Sequence, residues 1–183
     1  MHAILNRLSP SATEMIRADH TRVMAVFHRY HVDASPRAKR ALANAICLAL
    51  EVHAQLEEEI FYPALRAADN SLVREQLEPE HEEMRRHIGA LRAMAPTSEH
   101  YDATFMELMR VVIHHVADEE TILLTHAESV LGSSLLMTLG RQMAVRKLRL
   151  KAPRLAKNRN VWVLGGALLM GALLGRRALR RHP

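Results

Sequence analysis

Two stretches of this chain repeat one pattern: His53 to Glu58 and His115 to Glu120 both read His-x3-Glu-Glu, and each follows a lone histidine, His20 or His81, by 33 or 34 residues. Residues four apart on an α-helix lie one above the other on the same face, so His-x3-Glu offers a ring nitrogen and a carboxylate oxygen to a single point. The repeat describes two helical hairpins, each contributing one His and one His-x3-Glu. His20, His53, Glu57, His81, His115 and Glu119 become six candidate metal ligands. Imidazole with carboxylate suits Fe, Zn, Mn or Cu. Two carboxylates have enough oxygens to bridge a pair of ions, and four neutral imidazoles then give each ion two nitrogens and leave coordination positions open.

The apolar residues around these groups predict the elements that carry them. Spacings of three and four mark four helical stripes: Ile16, His20, Val23, Phe27, Tyr30; then Ile46, Leu50, His53, Glu57, Ile60, Ala64; then Leu77, His81, Met84, Ile88, Leu91; then Phe105, Leu108, Val112, His115, Glu119, Ile122. All six candidates fall on the inward faces. An unpaired buried carboxylate costs several kcal/mol, so buried charges are paired or metal-bound. One such His-Glu pair reads as a hydrogen-bonded core pair; six polar groups on four stripes read as a metal site.

The same test sorts the remaining polar residues. His114 and Asp118 share the four-residue spacing but lie on a polar row with Glu107 and Thr121, as a solvated pair or a support for the ligands. His28, His31, His87, His100 and His126 have no carboxylate four residues on and are assigned to surface or edge, with His31 and His126 as candidates to cap the bundle mouth. Glu58, Glu59 and Glu120 point off the stripes and are read as solvated, with a supporting role left open. Tyr62 and Tyr101 are candidates to line the pocket.

These motifs resemble the hemerythrin-like, or HHE cation-binding, family over about residues 12 to 130. The resemblance rests on Asp19-His20, on His53 to Glu58 followed by Phe61 and Pro63, on Glu80-His81, and on His115 to Glu120. Thr125 stands in the second copy where Pro63 stands in the first, outside the ligand set. The resemblance implies an all-α, up-down-up-down four-helix bundle and a non-haem di-iron centre: two iron ions bridged by the two glutamates and an oxo or hydroxo group. It also implies differences. Oxygen-carrying members place two histidines four apart on the third helix, whereas Arg85 follows His81 here, and their fourth-helix acid comes five residues after the histidine rather than four. A fifth histidine is missing, which argues against a dedicated oxygen carrier. Iron-cluster repair members carry a cysteine-bearing N-terminal domain, and this chain has 19 residues before His20 and one cysteine, Cys47.

Composition agrees with the bundle. A chain of 183 residues with 4% aromatics and abundant Ala, Leu and Met favours an all-α domain with its own core. Cap and break signals place helices at 12–31, 36–68, 71–94 and 99–129, joined by turns short enough for antiparallel neighbours. Pro63 predicts a kink or loosening near the end of the second helix. A lone cysteine excludes an internal disulfide and suggests a small packed residue in a reducing compartment. Residues 1–10 lack the apolar run of a secretory signal.

The net charge of +5 conceals a division, because all 20 acidic residues precede position 131 while 12 of the 25 Lys and Arg follow position 130. Three segments are therefore expected: the bundle at 1–130, a basic linker or amphipathic helix at 131–160, and an apolar helix with a basic flank at 161–183. Val161 to Gly175 is uncharged. As a helix it reaches about 22 Å, short of a hydrocarbon core of about 30 Å, so spanning requires snorkelling arginines or local thinning. Anionic lipid attracts the flanking Lys and Arg, and the heavier basic flank before the run favours a cytoplasmic bundle on the inner membrane. Gly171 and Gly175 form a Gly-x-x-x-Gly pair that suits a homodimer contact. A fifth helix folded onto the bundle is the bland alternative, and little aromatic interleaving argues against nucleic acid.

The expected function is a di-iron protein that binds or senses O2, NO or redox state at a membrane surface, since a nitrogen-rich, carboxylate-poor site favours reversible binding. Turnover of NO or peroxide, iron delivery to damaged clusters, and a metal-stabilised interaction module are the competing classes.

Overall fold

The computed structural model describes residues 10–69 and 73–152. All regular structure among them is helical. The first bundle helix is α1 (Ala12–Phe27). The second runs through α2 (Pro36–Leu56), a π-helical turn π1 (Glu57–Phe61) and α3 (Tyr62–Ala68). The third is α4 (Val73–Ala93), and the fourth runs through α5 (Tyr101–Asp118), a second π turn π2 (Glu119–Leu123) and α6 (Leu124–Val130). Contacts of α1 with α2 and α6, of α2 with α4, and of α4 with α5 close the four helices into a bundle.

Local sequence explains the starts of these helices. At α1 the Ser11 hydroxyl accepts from the Glu14 N–H at 3.2 Å and the Glu14 carboxylate accepts from the Ser11 N–H at 2.7 Å, a reciprocal capping box. At α2 the Ser35 hydroxyl accepts from the Ala38 N–H at 3.3 Å, and Pro36 occupies the first turn, where its missing donor costs nothing. The first helix ends at Phe27, short of the expected residue 31, yet Tyr30 in the following turn stays buried because it stacks on Phe105 at 3.7 Å. Its hydroxyl donates to Asp102, which also accepts from Lys39 Nζ at 2.7 Å. Arg40 donates to the Leu91 and Met94 carbonyls, satisfying the open end of α4.

One half of the core is apolar and joins Val23, Phe27, Ile46, Leu50, Ile88, Leu91, Phe105 and Leu108, with Cys47 packed among them. Burial pushes the Cys47 thiol up to about 11, so it behaves as a small hydrophobe. Each fully buried Leu, Ile or Phe contributes about 1.5–3 kcal/mol, which must offset the burial of the polar layer beside it.

Beyond Glu57 and Glu119 the predicted stripes break. Ile122 is 45% exposed while Leu123, Leu124 and Ala127 are buried; in the first copy Phe61, Tyr62 and Leu65 are buried while Ile60 and Ala64 are only half-buried. Each π turn inserts one residue relative to the α register, so the inward face moves on by one position. Pro63 is not the cause, since Thr125 occupies the matching place behind the second π turn.

After Leu131 the chain turns at Gly132, whose φ of 67° is left-handed, and a further helix, α7, occupies Gly132–Ala152. Its Leu136, Leu139 and Met143 are buried. Gly140 lies so close to α1 that a Cβ there would sit 2.3 Å from the Pro10 carbonyl oxygen. The chain divides into compact units after Ala144, and in the second unit Val145 and Leu148 are exposed. No single helix among the described residues is long and apolar enough to cross a membrane. The apolar run 161–175, with its Gly171 and Gly175, lies outside the described residues.

Candidate metal centre

Each bundle helix brings one histidine to a common layer, and the second and fourth helices add the carboxylates that open their π turns. His20, His53, Glu57, His81, His115 and Glu119 are all buried, with both carboxylates fully so. His53 Nε2 lies 3.0 Å from Glu57 Oε1, and His81 Nε2 lies 3.3 Å from Glu57 Oε2, so this carboxylate places one oxygen beside a ring from each hairpin. Glu119 Oε2 lies 3.1 Å from His20 Nε2 and 3.7 Å from His115 Nε2. His20 Nε2 and His53 Nε2 face each other at 3.2 Å.

Three of the four rings are fixed by surrounding carboxylates. His20 Nδ1 donates to Glu120 at 2.8 Å, His81 Nδ1 to Glu58 at 2.8 Å and His115 Nδ1 to Glu80 at 2.9 Å. A proton held on Nδ1 leaves the Nε2 lone pair pointing inward, which is the tautomer a metal ligand needs. Glu58 also accepts both Arg85 terminal nitrogens at 2.9 Å, so the residue four after His81 serves the centre through Glu58. Glu58 and Glu120, expected in solvent with a supporting role open, both hold ring nitrogens, and the doubled acid of each motif is the signal for them. For Glu80 it was the acid preceding the lone His81.

Electrostatics favour a cation. Burial draws the His20 and His81 pKa values down, but the carboxylates outweigh it and leave both rings at about 9. For His20 the opposing groups are Glu119, Glu57 and Glu120; for His81 they are Glu57 and Glu58. Burial likewise raises Glu57, yet His53 and His81 hold it well below the ordinary carboxylate range. Tyr62 reaches the layer as well: its hydroxyl lies 3.4 Å from Glu57 Oε2 and from Glu119 Oε1, and its ring stacks on His81 at 5.7 Å. Burial pushes that hydroxyl well above its ordinary value, so it remains a proton donor. Tyr101 is in the apolar half of the core, under the Arg40 guanidinium, and not at the centre.

Whether a metal fits follows from the inward atoms. Glu57 Oε1, Glu119 Oε2, His81 Nε2 and His115 Nε2 are buried and make no hydrogen bond. Orphaned donors and acceptors at this depth are costly, and here they belong to a nitrogen–oxygen set of the kind that takes transition metals. The atoms fall into two overlapping groups, His20, His53, His115 and Glu119, and Glu57, His81 and His115, each within 4.8 Å. The residues fit a metal. His126 instead stands 3.0 Å from Asp69, away from this layer, and His114 is exposed beside Asp118 at 3.6 Å.

An all-α bundle with a buried His and Glu layer of this kind defines a metal-binding, hemerythrin-like protein. The model of the hemerythrin HHE cation-binding domain matches residues 11–127, and the chain belongs to that family. Among solved structures, a hemerythrin HHE cation-binding domain-containing protein from Mycobacterium kansasii has the same fold, with a TM-score of 0.68 and 22% identity over 82% of this chain and 93% of that one. A curated relative from Nostoc sp., described as a DNA nickase, is 28% identical over 120 residues. That match takes in 66% of this chain but spans only about a third, 34%, of the relative.

Proposed function

We propose that His20, His53, Glu57, His81, His115 and Glu119 hold a non-haem di-iron centre that reversibly binds a small diatomic molecule, O2 or NO. The observation that carries this reading is the placement of the Glu57 oxygens, one beside His53 of the first hairpin and one beside His81 of the second. A carboxylate so placed can serve two ions at once. When bound, a pair of irons supplies open coordination positions for a diatomic ligand. The chain supplies the rest. Glu120, Glu58 and Glu80 keep the His20, His81 and His115 rings in the ligating tautomer, the apolar core on one side and Phe61, Leu65, Leu123 and Leu124 on the other exclude water, and Tyr62 offers the nearby hydroxyl proton. Four imidazoles against two carboxylates leave little anionic charge on the metals, which favours reversible uptake over accumulation of strongly oxidised states.

The C-terminal segment supports a proposal of location. Its 12 basic residues and uncharged run 161–175 suit attachment to anionic lipid, with the bundle on the cytoplasmic side. Stopped-flow and static spectra of the anaerobically reduced protein, mixed with NO or O2, test the ligand reading. Reversible spectral change without consumption of the gas is the expected result. Sustained turnover of NO or peroxide well above that of free iron overturns it in favour of an enzyme.

A further inference from the structure

Glu80 has two oxygens, and only one of them is used by the centre. Oε2 accepts from His115 Nδ1 at 2.9 Å, while Oε1 faces outward, 3.9 Å from His114 Nε2. Asp118, one turn after His114 on α5, places its Oδ2 3.6 Å from the same nitrogen. The three ligating atoms lie within 4.8 Å of one another, and the side-chain exposures of Glu80, His114 and Asp118 are 16%, 65% and 36%. A four-coordinate ion with bonds of about 2.0–2.2 Å needs its ligand atoms roughly 3.3–3.6 Å apart, so these residues require only small rotations to close on one.

We propose that Glu80, His114 and Asp118 form a second, solvent-facing site for a divalent cation of the zinc class, coupled to the buried centre through Glu80. Charge supports the choice. Two carboxylates and a histidine meet here, and no Lys or Arg among the described side chains is paired with Glu80 or Asp118. A comparable cluster, Glu83, His87 and Glu107, already has its cation, since Arg110 Nη2 lies 3.6 Å from Glu83 and 2.7 Å from Glu107. One His, one Glu and one Asp leave the remaining position to water, which suits an exchangeable ion.

The coupling rests on the di-iron reading above. A cation on Oε1 draws negative charge from Oε2, weakens the hydrogen bond from His115 Nδ1 and makes the ring a poorer ligand. The outer ion therefore loosens the inner metal.

The test is titration of full-length, metal-loaded protein with zinc chloride, followed by calorimetry and by metal analysis after gel filtration. Wild type is expected to take up one zinc more than His114→Ala or Asp118→Asn, with affinity in either variant reduced at least roughly tenfold, the lower end of what losing even an indirect ligand partner costs. Both positions are on the surface, and near-native thermal stability shows that each variant is folded. Equal zinc uptake by wild type and both variants overturns the site. The difference counts the outer zinc whether or not the centre is filled, so an empty centre in all three proteins counts against the di-iron reading alone. For the coupling, zinc is expected to speed release of the inner metal to a chelator by roughly tenfold in wild type and not in His114→Ala. A bound outer zinc that leaves the release rate unchanged overturns the coupling.

Discussion

Glu58, Glu80 and Glu120 touch no inward atom of the centre, yet each holds the far nitrogen of one of its histidines. Replacing Glu58 or Glu120 with Gln keeps shape and removes charge, so the bundle should fold while metal affinity falls roughly 10–100-fold in chelator competition. Unchanged affinity in both variants would show that these contacts are incidental. Acid–base behaviour belongs to the same scale. His20 and His81 titrate at about 9, above the ordinary 6.5, so in metal-free protein the stability they contribute is complete below about pH 6.5 and is lost as pH rises through about 9. Metal needs the neutral rings, so its uptake releases protons and tightens over that same interval. Thermal melts of metal-free protein should show Tm falling across that window while apparent metal affinity rises. A metal-free Tm that climbs from pH 7 to pH 9 would contradict the assigned shifts.

The two π turns set what the second and fourth helices do. Each opens on an inward carboxylate and moves the apolar face on by one residue, which makes a paired prediction possible. Leu123→Ala should cost about 2–5 kcal/mol in denaturant unfolding. Ile122→Ala, at a half-exposed position, should stay within roughly 0.5 kcal/mol. Comparable losses from the two would mean that the helix is in plain α register. Deleting Ile60 is the converse test. It would place Phe61, Tyr62 and Leu65 three, four and seven positions after Glu57, a regular α stripe, so helical circular dichroism should persist while metal affinity drops. The sequence predicted four helices and the inward faces of Ile16 to Tyr30, of His81 to Leu91, and of the other two helices as far as Glu57 and Glu119, because a steady 3.6-residue period encodes them. It could not show the π turns. Nothing in residue type distinguishes a face that continues at Ile60 from one that restarts at Phe61; the difference lies in how a buried carboxylate is packed. The gathering of the six polar residues was readable for the complementary reason that four-residue spacing and burial coincide twice.

At the scale of the whole molecule, the bundle does not stop at Val130. Leu136, Leu139 and Met143 are buried on α7, and Gly140 lies against the backbone that caps α1. Gly140→Ala must push Pro10 and Ser11 aside, and should lower stability by about 1–3 kcal/mol without touching the metal layer. The basic, apolar segment after residue 152 has a separate prediction. The 183-residue chain should sediment with phosphatidylserine vesicles at low salt, whereas a chain ending at residue 152, which loses seven of the twelve basic residues together with the uncharged run, should bind much more weakly. Equal binding by the two would mean that the C-terminal run does not hold the protein to lipid. That the six buried side chains hold two irons is tested by metal analysis of protein reconstituted anaerobically with ferrous iron and freed of excess. About two irons per chain in wild type, falling to one or none in folded Glu57→Ala and His53→Ala variants, is the result expected of two carboxylate-bridged sites. A folded wild-type protein that takes up no iron, or retains two irons in both variants, would contradict it.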